Sequence, residues 1–344
     1  MSEKKNTCFG IGILGCGAVS VMHVEVAKRL ENARLVGFAD RSPERAEAFA
    51  AQYGGRVFAD AEALFSDPEV DVAVICTPSG LHAEQAVAAL RAGCHVLIEK
   101  PIALTEEGIA EVLRVEKETG LTVGVICQQR FSPAIVKLHE LITAGALGRL
   151  LLADLSMLYQ RDPSYYEAVA WRGTKDMDGG ELFNQGVHGV DILLHLCGDA
   201  VAVSGATRTL THRIEAEDTT VAVLEFASGA VGTIRSTTAI NPGYPRRMTL
   251  CFSGGTVALD DDRIITWDVP GVPCPAITVD EGRAAHRDPM AFSCDYHLAE
   301  TADFLSAIEE GRAPLISSLE GMRAPKAIIA IYRSAVEGRR VTIS

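Results

Sequence analysis

The chain has 344 residues, 48% of them hydrophobic, 22% charged and 6% aromatic, the composition of a globular protein too long for one ordinary core. A formal net charge of −13 argues against a nucleic-acid partner, which would need clustered Lys and Arg, but leaves room for a local anion pocket. Nine scattered Cys, an odd number with no Cys-x-x-Cys pair, fit a reduced cytosolic chain better than a disulfide framework or a zinc cage.

The apolar stretch near the N-terminus is too short and glycine-rich for a signal peptide, and no run of about 18 apolar residues offers a membrane span. A cytoplasmic protein without a membrane partner is therefore expected.

In chain order, residues 1–128 alternate short apolar runs with helical periodicity. Strands are predicted at 9–14, 34–39, 70–76, 95–98 and 122–127. The intervening helices fall at 19–30, after Ser42-Pro43, at 82–92 and at 105–119, the last with Thr105 as N-cap and Gly120 as stop. Fully apolar strands alternating with helices predict a doubly wound parallel sheet, the Rossmann architecture.

After Gln128 the rhythm changes. A helix at 133–144 and a strand at 150–159 lead into an irregular polar stretch from 160 to 180, then a helix at 183–196. Strands near 200–209, 219–227, 230–238, 247–253, 255–260 and 263–267 follow, read as an antiparallel meander, and helices at 297–310 and 319–337 close the chain. The fold expected is α/β: residues 1–128 a dinucleotide-binding domain, and 129–344 an α+β domain with a large, mostly antiparallel open sheet for substrate binding and oligomerisation.

Three motifs carry chemistry. Gly15-Cys16-Gly17-Ala18-Val19-Ser20 joins a strand to a helix, where backbone amides can approach a pyrophosphate. Ser20 stands where a third glycine is usual. Asp40 lies 25 residues after Gly15 at the end of the second strand, placed to accept both adenosine ribose hydroxyls. It favours NAD over NADP, with Arg41 beside it as a partial counterweight.

Glu99-Lys100-Pro101 ends an apolar strand at the edge where such sheets bind ligands. A lysine there can exchange or orient a hydroxyl proton, although a plain polar strand end explains the string too. In the segment 179–191, Asn184, His188 and Asp191 share a helical face, with His195 seven residues beyond His188. A histidine near neutral pH suits proton abstraction from an alcohol; a satisfied core histidine and a metal site at His188, Asp191 and His195 are the alternatives, the metal disfavoured because no HExxH or nearby Cys supports it.

Thr77-Pro78 with His82 are candidates to line the cofactor crevice, or simply form a capping turn. Arg130, Tyr165, Tyr166, Trp171 and Arg172 are candidate substrate contacts in or beside the polar stretch, with surface packing as the other reading.

Taken together, 11–20, Thr77-Pro78, Glu99-Lys100-Pro101, 179–191 and Gly338-Arg339-Arg340-Val341 resemble the Gfo/Idh/MocA family, the glucose–fructose oxidoreductase and inositol dehydrogenase group, over essentially the whole chain. The resemblance implies an NAD-dependent oxidoreductase that oxidises a secondary alcohol of a sugar, nucleotide sugar or cyclitol. Lys100 and His188 are then its proton-handling pair, Asn184 and Asp191 orient substrate and histidine, and the assembly is a homodimer or homotetramer.

Inositol-type members often carry Asp four residues before the histidine. This chain has Asn184, which cannot accept a proton at neutral pH. With Gln129-Arg130-Phe131 and Trp171-Arg172-Gly173, the Asn-Gln-Gly-Val-His string is similar to members acting at C3 of sugars or nucleotide sugars. An NAD-retaining glycoside hydrolase and a non-catalytic dinucleotide sensor share the fold and are the rival readings.

Overall fold

The structure is a computed structural model that describes residues 8–277 and 294–343. Residues 1–7, ahead of the apolar stretch considered above, lie outside them. The chain divides into two compact units: Met1–Gln128 with Ser293–Met322, and Gln129–Phe292 with Arg323–Ser344.

In the first unit the elements run β1 (Phe9–Leu14), α1 (Ser20–Arg29), β2 (Ala33–Ala39), α2 (Pro43–Tyr53), β3 (Arg56–Val57), α3 (Ala61–Phe65), β4 (Val72–Ile75), α4 (His82–Ala92), β5 (His95–Ile98), α5 (Glu106–Thr119) and β6 (Val123–Val125). The six strands form one parallel sheet in the order β3-β2-β1-β4-β5-β6, so the chain reverses its winding between β1 and β4. That reversal opens a crevice at the strand ends, where ligands of such sheets bind.

Every residue of β1 and β4 is buried, as a sheet covered on both faces requires. Thr105 caps α5 through its side chain, accepting from the Gly108 amide, and Gly120 ends that helix in the left-handed region (φ 68°). Ser42 opens α2 by its extended backbone, but its hydroxyl donates to Glu44 instead of capping. The short β3 and α3 carry too few periodic residues to stand out in the sequence.

One boundary differs from the expectation. Helix α9 (Asp295–Glu310) and the short α10 (Ser318–Gly321) belong to the first unit, not the second. β6 is the last strand of the sheet, and its edge needs cover. Gly124 bridges Ser317, and the Val125 amide donates to the Ile316 carbonyl at 3.2 Å. Cys127 N donates to Glu300 Oε1 at 2.9 Å, and the Phe304 ring fills the space above Gly124.

The second unit holds α6 (Pro133–Thr143), β7 (Leu150–Leu158), α7 (Pro163–Glu167), a π-helical turn (Leu182–Gly186) leading into α8 (Val187–Cys197), then β8 (Ala200–Arg208), β9 (Thr219–Phe226), β10 (Val231–Thr237), β11 (Arg247–Phe252), β12 (Gly255–Asp260), β13 (Arg263–Asp268), α11 (Arg323–Glu337) and β14 (Val341–Thr342). Eight strands form one sheet ordered β13-β12-β11-β7-β10-β9-β8-β14.

The sheet is mostly antiparallel but not a simple meander. β7 is inserted between β10 and β11 and runs parallel to β10. Helices α8 and α11 pack on the unit's strands β7 and β8 respectively. On the other side Leu152, Val221, Val223 and Val231 stand exposed on neighbouring strands. The closing helix expected at 319–337 is broken after Gly321, and the division between units falls in the break.

Candidate active site

The glycine-rich turn follows β1. Gly15 has φ 95°, and a Cβ there would lie 2.8 Å from the Cys76 carbonyl carbon, so both conformation and space demand glycine. Gly17 is different: a Cβ on it would meet nothing within 4 Å, so its bare backbone faces open room. Ser20 does more than stay small. Its buried hydroxyl donates to the Gly15 carbonyl at 2.6 Å and accepts the Gly17 amide at 3.2 Å, fixing the turn.

No side chain caps α1 and no acid stands in its first turn, while Ala18 is exposed there and Val19 half-buried. An uncapped helix start beside an open glycine fits a pyrophosphate. Asp40 ends β2 with one oxygen accepting the Cys16 amide at 2.7 Å and the other the Ser42 amide at 2.8 Å. Each oxygen keeps a second lone pair for a ribose hydroxyl. Arg41 beside it is exposed. These residues fit the adenosine half of a dinucleotide.

Thr77 and Pro78 follow β4 and are half-buried, as a crevice lining would be. His82 does not line the crevice. Its ring is buried, with Nδ1 2.7 Å from the Pro101 carbonyl and Nε2 2.8 Å from the Thr77 carbonyl, so it ties together the two loops that end β4 and β5. Burial lowers its pKa and favours the neutral ring.

Glu99 also turns inward. It is 6% exposed, and its Oε1 lies 2.8 Å from His23 Nε2 on α1 and 3.9 Å from His297 Nε2 on α9. Burial alone would raise the Glu99 pKa, but the hydrogen bond and charge of His23 outweigh it and hold the carboxyl at about 2. For His23, burial opposes the charge, yet Cys76 and Glu99 beside it push the pKa up to about 10. Burial, helped by the charge on His23, lowers His297 to about 4 and keeps it neutral. This ion pair anchors the residue preceding Lys100, which is half-buried and joined to Pro101 by a cis peptide.

In the second unit the expected helix begins as a π-turn, a distortion often found at functional sites. It leaves Asn184, Gln185 and His188 half-buried, whereas Asp191 is buried. Asp191 takes Arg130 in a two-pronged pair, Nε to Oδ2 at 2.8 Å and Nη2 to Oδ1 at 2.6 Å, with both side chains about 5% exposed or less. Neither Arg130 nor Asp191 therefore presents its charge to a substrate; the pair locks α8 to the turn that precedes α6. The His195 ring stacks on His139 at 4.1 Å, and among the described residues no three His, Cys, Asp or Glu converge to hold a metal.

Asn184 Nδ2 donates to buried Asp178, whose other oxygen accepts the Gly173 amide. Gln185 Nε2 donates to Asn184 Oδ1 and to the Tyr165 hydroxyl, each at 2.9 Å. Arg172 lies over the Tyr165 ring at 4.2 Å from its centroid and donates to the Tyr165 carbonyl, while Arg161 sits 5.7 Å from the same ring. Arg161 Nη2 donates to Gln185 Oε1. Trp171 is half-buried beside Arg172, its ring 5.6 Å from the guanidinium. Tyr166 points away: its buried hydroxyl bonds Thr238 at 2.7 Å and its ring leans on His212.

Tyr165, Asp178, Gln185 and Arg161 thus form one bonded cluster with Asn184. Of these, Arg161, Asp178 and Gln185 were not picked out in the sequence; Gln185 was readable only as a neighbour of Asn184, and Arg161 and Asp178 gave no signal because their partners lie in other elements.

Comparison with known proteins accords with this geometry. Residues 9–127 match the description "Oxidoreductase family, NAD-binding Rossmann fold" of the Gfo/Idh/MocA group, and residues 135–258 match its C-terminal domain. The chain belongs to the Gfo/Idh/MocA family of NAD-dependent oxidoreductases, dehydrogenases that act on CH–OH groups.

Among solved structures it is similar to the WlbA dehydrogenase of Bordetella pertussis in complex with NADH and UDP-GlcNAcA. Identity is 31% over 98% of this chain and 99% of that one, with a TM-score of 0.89. The WlbA dehydrogenase from Chromobacterium violaceum, with the same ligands, is 27% identical over 100% and 97%, TM-score 0.88. An inositol 2-dehydrogenase of Rhizobium meliloti (strain 1021) is 27% identical over 343 residues, 97% of this chain and 98% of its own.

Proposed function

We propose that this protein oxidises a secondary hydroxyl of a sugar that carries a negative charge, with a nucleotide-linked uronic acid as the substrate class. The observation that carries this is half-buried Arg172, laid over the Tyr165 ring beside Asn184 and Gln185, with buried Arg161 behind the same ring. In a chain of net charge −13, a half-buried guanidinium at this place suits a carboxylate or phosphate. The nucleotide-sugar acid bound by both WlbA relatives supports the same choice, and Asn184 in place of the aspartate of inositol-type members weighs against a cyclitol.

NAD⁺, when bound, supplies the hydride acceptor. Gly15, Gly17, the start of α1 and Asp40 hold it, with Thr77, Pro78 and Arg41 beside it. His188 takes the hydroxyl proton, and Lys100 steadies the developing oxygen charge. Asn184 orients the sugar, its amide fixed by Asp178. His82, Glu99, Arg130 and Asp191 position these groups without touching substrate. The first unit is the cofactor-binding domain, the second binds substrate, and the exposed apolar sheet face of the second pairs copies into a homo-oligomer in the cytoplasm.

The test is reduction of NAD⁺ followed at 340 nm with three substrates: a UDP-linked uronic acid, the same sugar without its carboxylate, and myo-inositol. The expected order of kcat/KM places the acid first, with Arg172→Leu raising KM for the acid far more than for the neutral sugar. Lys100→Ala and His188→Ala should each cut turnover by roughly 10²–10⁴. A preference for myo-inositol, or near-normal turnover in both alanine variants, overturns the reading. If the cofactor never leaves the protein, NAD(H) released on denaturation will match the protein in amount, and the hydride must then pass on to a second substrate before net turnover is seen.

A further inference from the structure

The π-turn that presents Asn184 and leads to His188 opens with amides that its own residues do not cap: Glu181, at the cap position, makes no capping bond with its side chain. The acceptors come from Glu217, just before β9. Its side-chain Oε1 takes the Leu182 amide at 2.9 Å, and its backbone carbonyl takes the Glu181 amide at 3.2 Å. Gly180, at φ 108°, makes room for it, because a Cβ there would lie 2.0 Å from Glu217 Oε2. From α11, the Tyr332 hydroxyl donates to the same Oε1 at 2.6 Å. One residue thus gathers two successive amides of the turn and is itself held by a third element.

We propose that Glu217 is a positioning residue of this enzyme, capping the π-turn from outside and setting where Asn184 and His188 stand. The inference rests on the assignment of those two residues to the site.

Burial raises the Glu217 pKa, the Leu182 amide and the Tyr332 hydroxyl oppose the rise, Asp178 adds to it, and the group stands at about 7. Asp178 is the charged group acting on it, and Glu217 acts in turn on Glu181, whose pKa burial also raises and which Asp218 and Arg161 influence as well. An ionised Glu217 accepts the two side-chain bonds more strongly than a protonated one. The turn therefore tightens as pH rises through neutrality and loosens below it.

Hydrogen exchange by mass spectrometry across pH, corrected for intrinsic rates, reads this directly and needs no substrate. In the native protein, protection of the 181–186 peptide should rise with pH around 7. Tyr332→Phe, which removes a donor that favours the ionised form, should move that transition to higher pH. Glu217→Gln should abolish the transition, and Glu217→Ala should speed exchange of this peptide about tenfold or more while leaving strands β11–β13 unchanged. With the substrate proposed above, the same variants should lower kcat more than they raise KM.

A transition that persists in Glu217→Gln overturns the proposal, as does loss of protection spread evenly over the second unit in Glu217→Ala. Exchange that behaves as expected in a protein inactive on every sugar acid would sink the substrate assignment and leave this inference standing.

Discussion

Burying a carboxylate and an imidazole together is favourable only while both are charged and bonded to each other, and the Glu99–His23 pair shows what that implies for pH. Glu99, held at about 2, contributes stability that is present above about pH 4.5 and lost as pH falls towards 2. His23, raised to about 10, contributes stability that is full below about 6.5 and lost as pH climbs through 10. The first unit should therefore be most stable between those unfolded-state values, near pH 4.5–6.5 where this pair is concerned.

Glu99→Gln leaves His23 buried without its counter-charge. The cost should be about 3–5 kcal/mol at pH 6, less where His23 can turn neutral. Urea unfolding at pH 6 and pH 9.5 checks this: the gap between native and variant should shrink at the higher pH, and an equal gap at both would contradict the pairing.

Strand ends and helix spacing are what singled out Gly15, Asp40, Lys100, Asn184 and His188 in the sequence. It did not show the inward partners of Glu99, His82, Arg130, Asp191 and Tyr166, because a side chain's partner is set by packing: His23 is 76 positions from Glu99, and Arg130 is 61 from Asp191.

At the scale of elements, α9 decides where the first unit ends. Its Phe304 is 1% exposed and rests on Leu97 and on the bare backbone of Gly124, so it is part of the Rossmann core despite its place late in the chain. Phe304→Ala should cost about 3–5 kcal/mol, in the range for a large buried aromatic. The loss should appear as a lower urea midpoint for release of bound NAD. An unaltered midpoint would mean that α9 is dispensable to the cofactor domain.

Apolar periodicity made most helices and strands readable, since a buried face has to repeat with the period of its element. It could not reveal which core α9 serves, because an amphipathic helix presents the same stripe to either. Nor could it reveal the π-turn, which differs from an α-turn by one residue in its bonding, or the parallel pairing of β7 with β10, which depends on strand order and not on strand content.

For the whole molecule, the charge of −13 keeps copies apart at long range, so association has to come from an apolar surface. The eight-stranded sheet supplies one. Val221 and Val223 are each 49% exposed on β9, with Val231 at 46% and Leu152 at 43% on the adjoining strands. Placing Lys at both Val221 and Val223 should shift the proposed oligomer towards monomer in sedimentation velocity, with the far-UV circular dichroism unchanged. A variant that sediments like the parent would move the interface elsewhere.

The division into two units has a consequence for how the protein is made. When a ribosome has delivered Gln128, the parallel sheet has all six strands, yet Glu300, Phe304 and the Ile316–Ser317 segment that closes β6 do not exist. The nascent cofactor domain must wait, one flank uncovered, while the entire second sheet is synthesised. A gene fragment ending at codon 128 would freeze it in that unfinished state, so an independent nucleotide-binding module would have to be built by splicing 294–322 directly onto it.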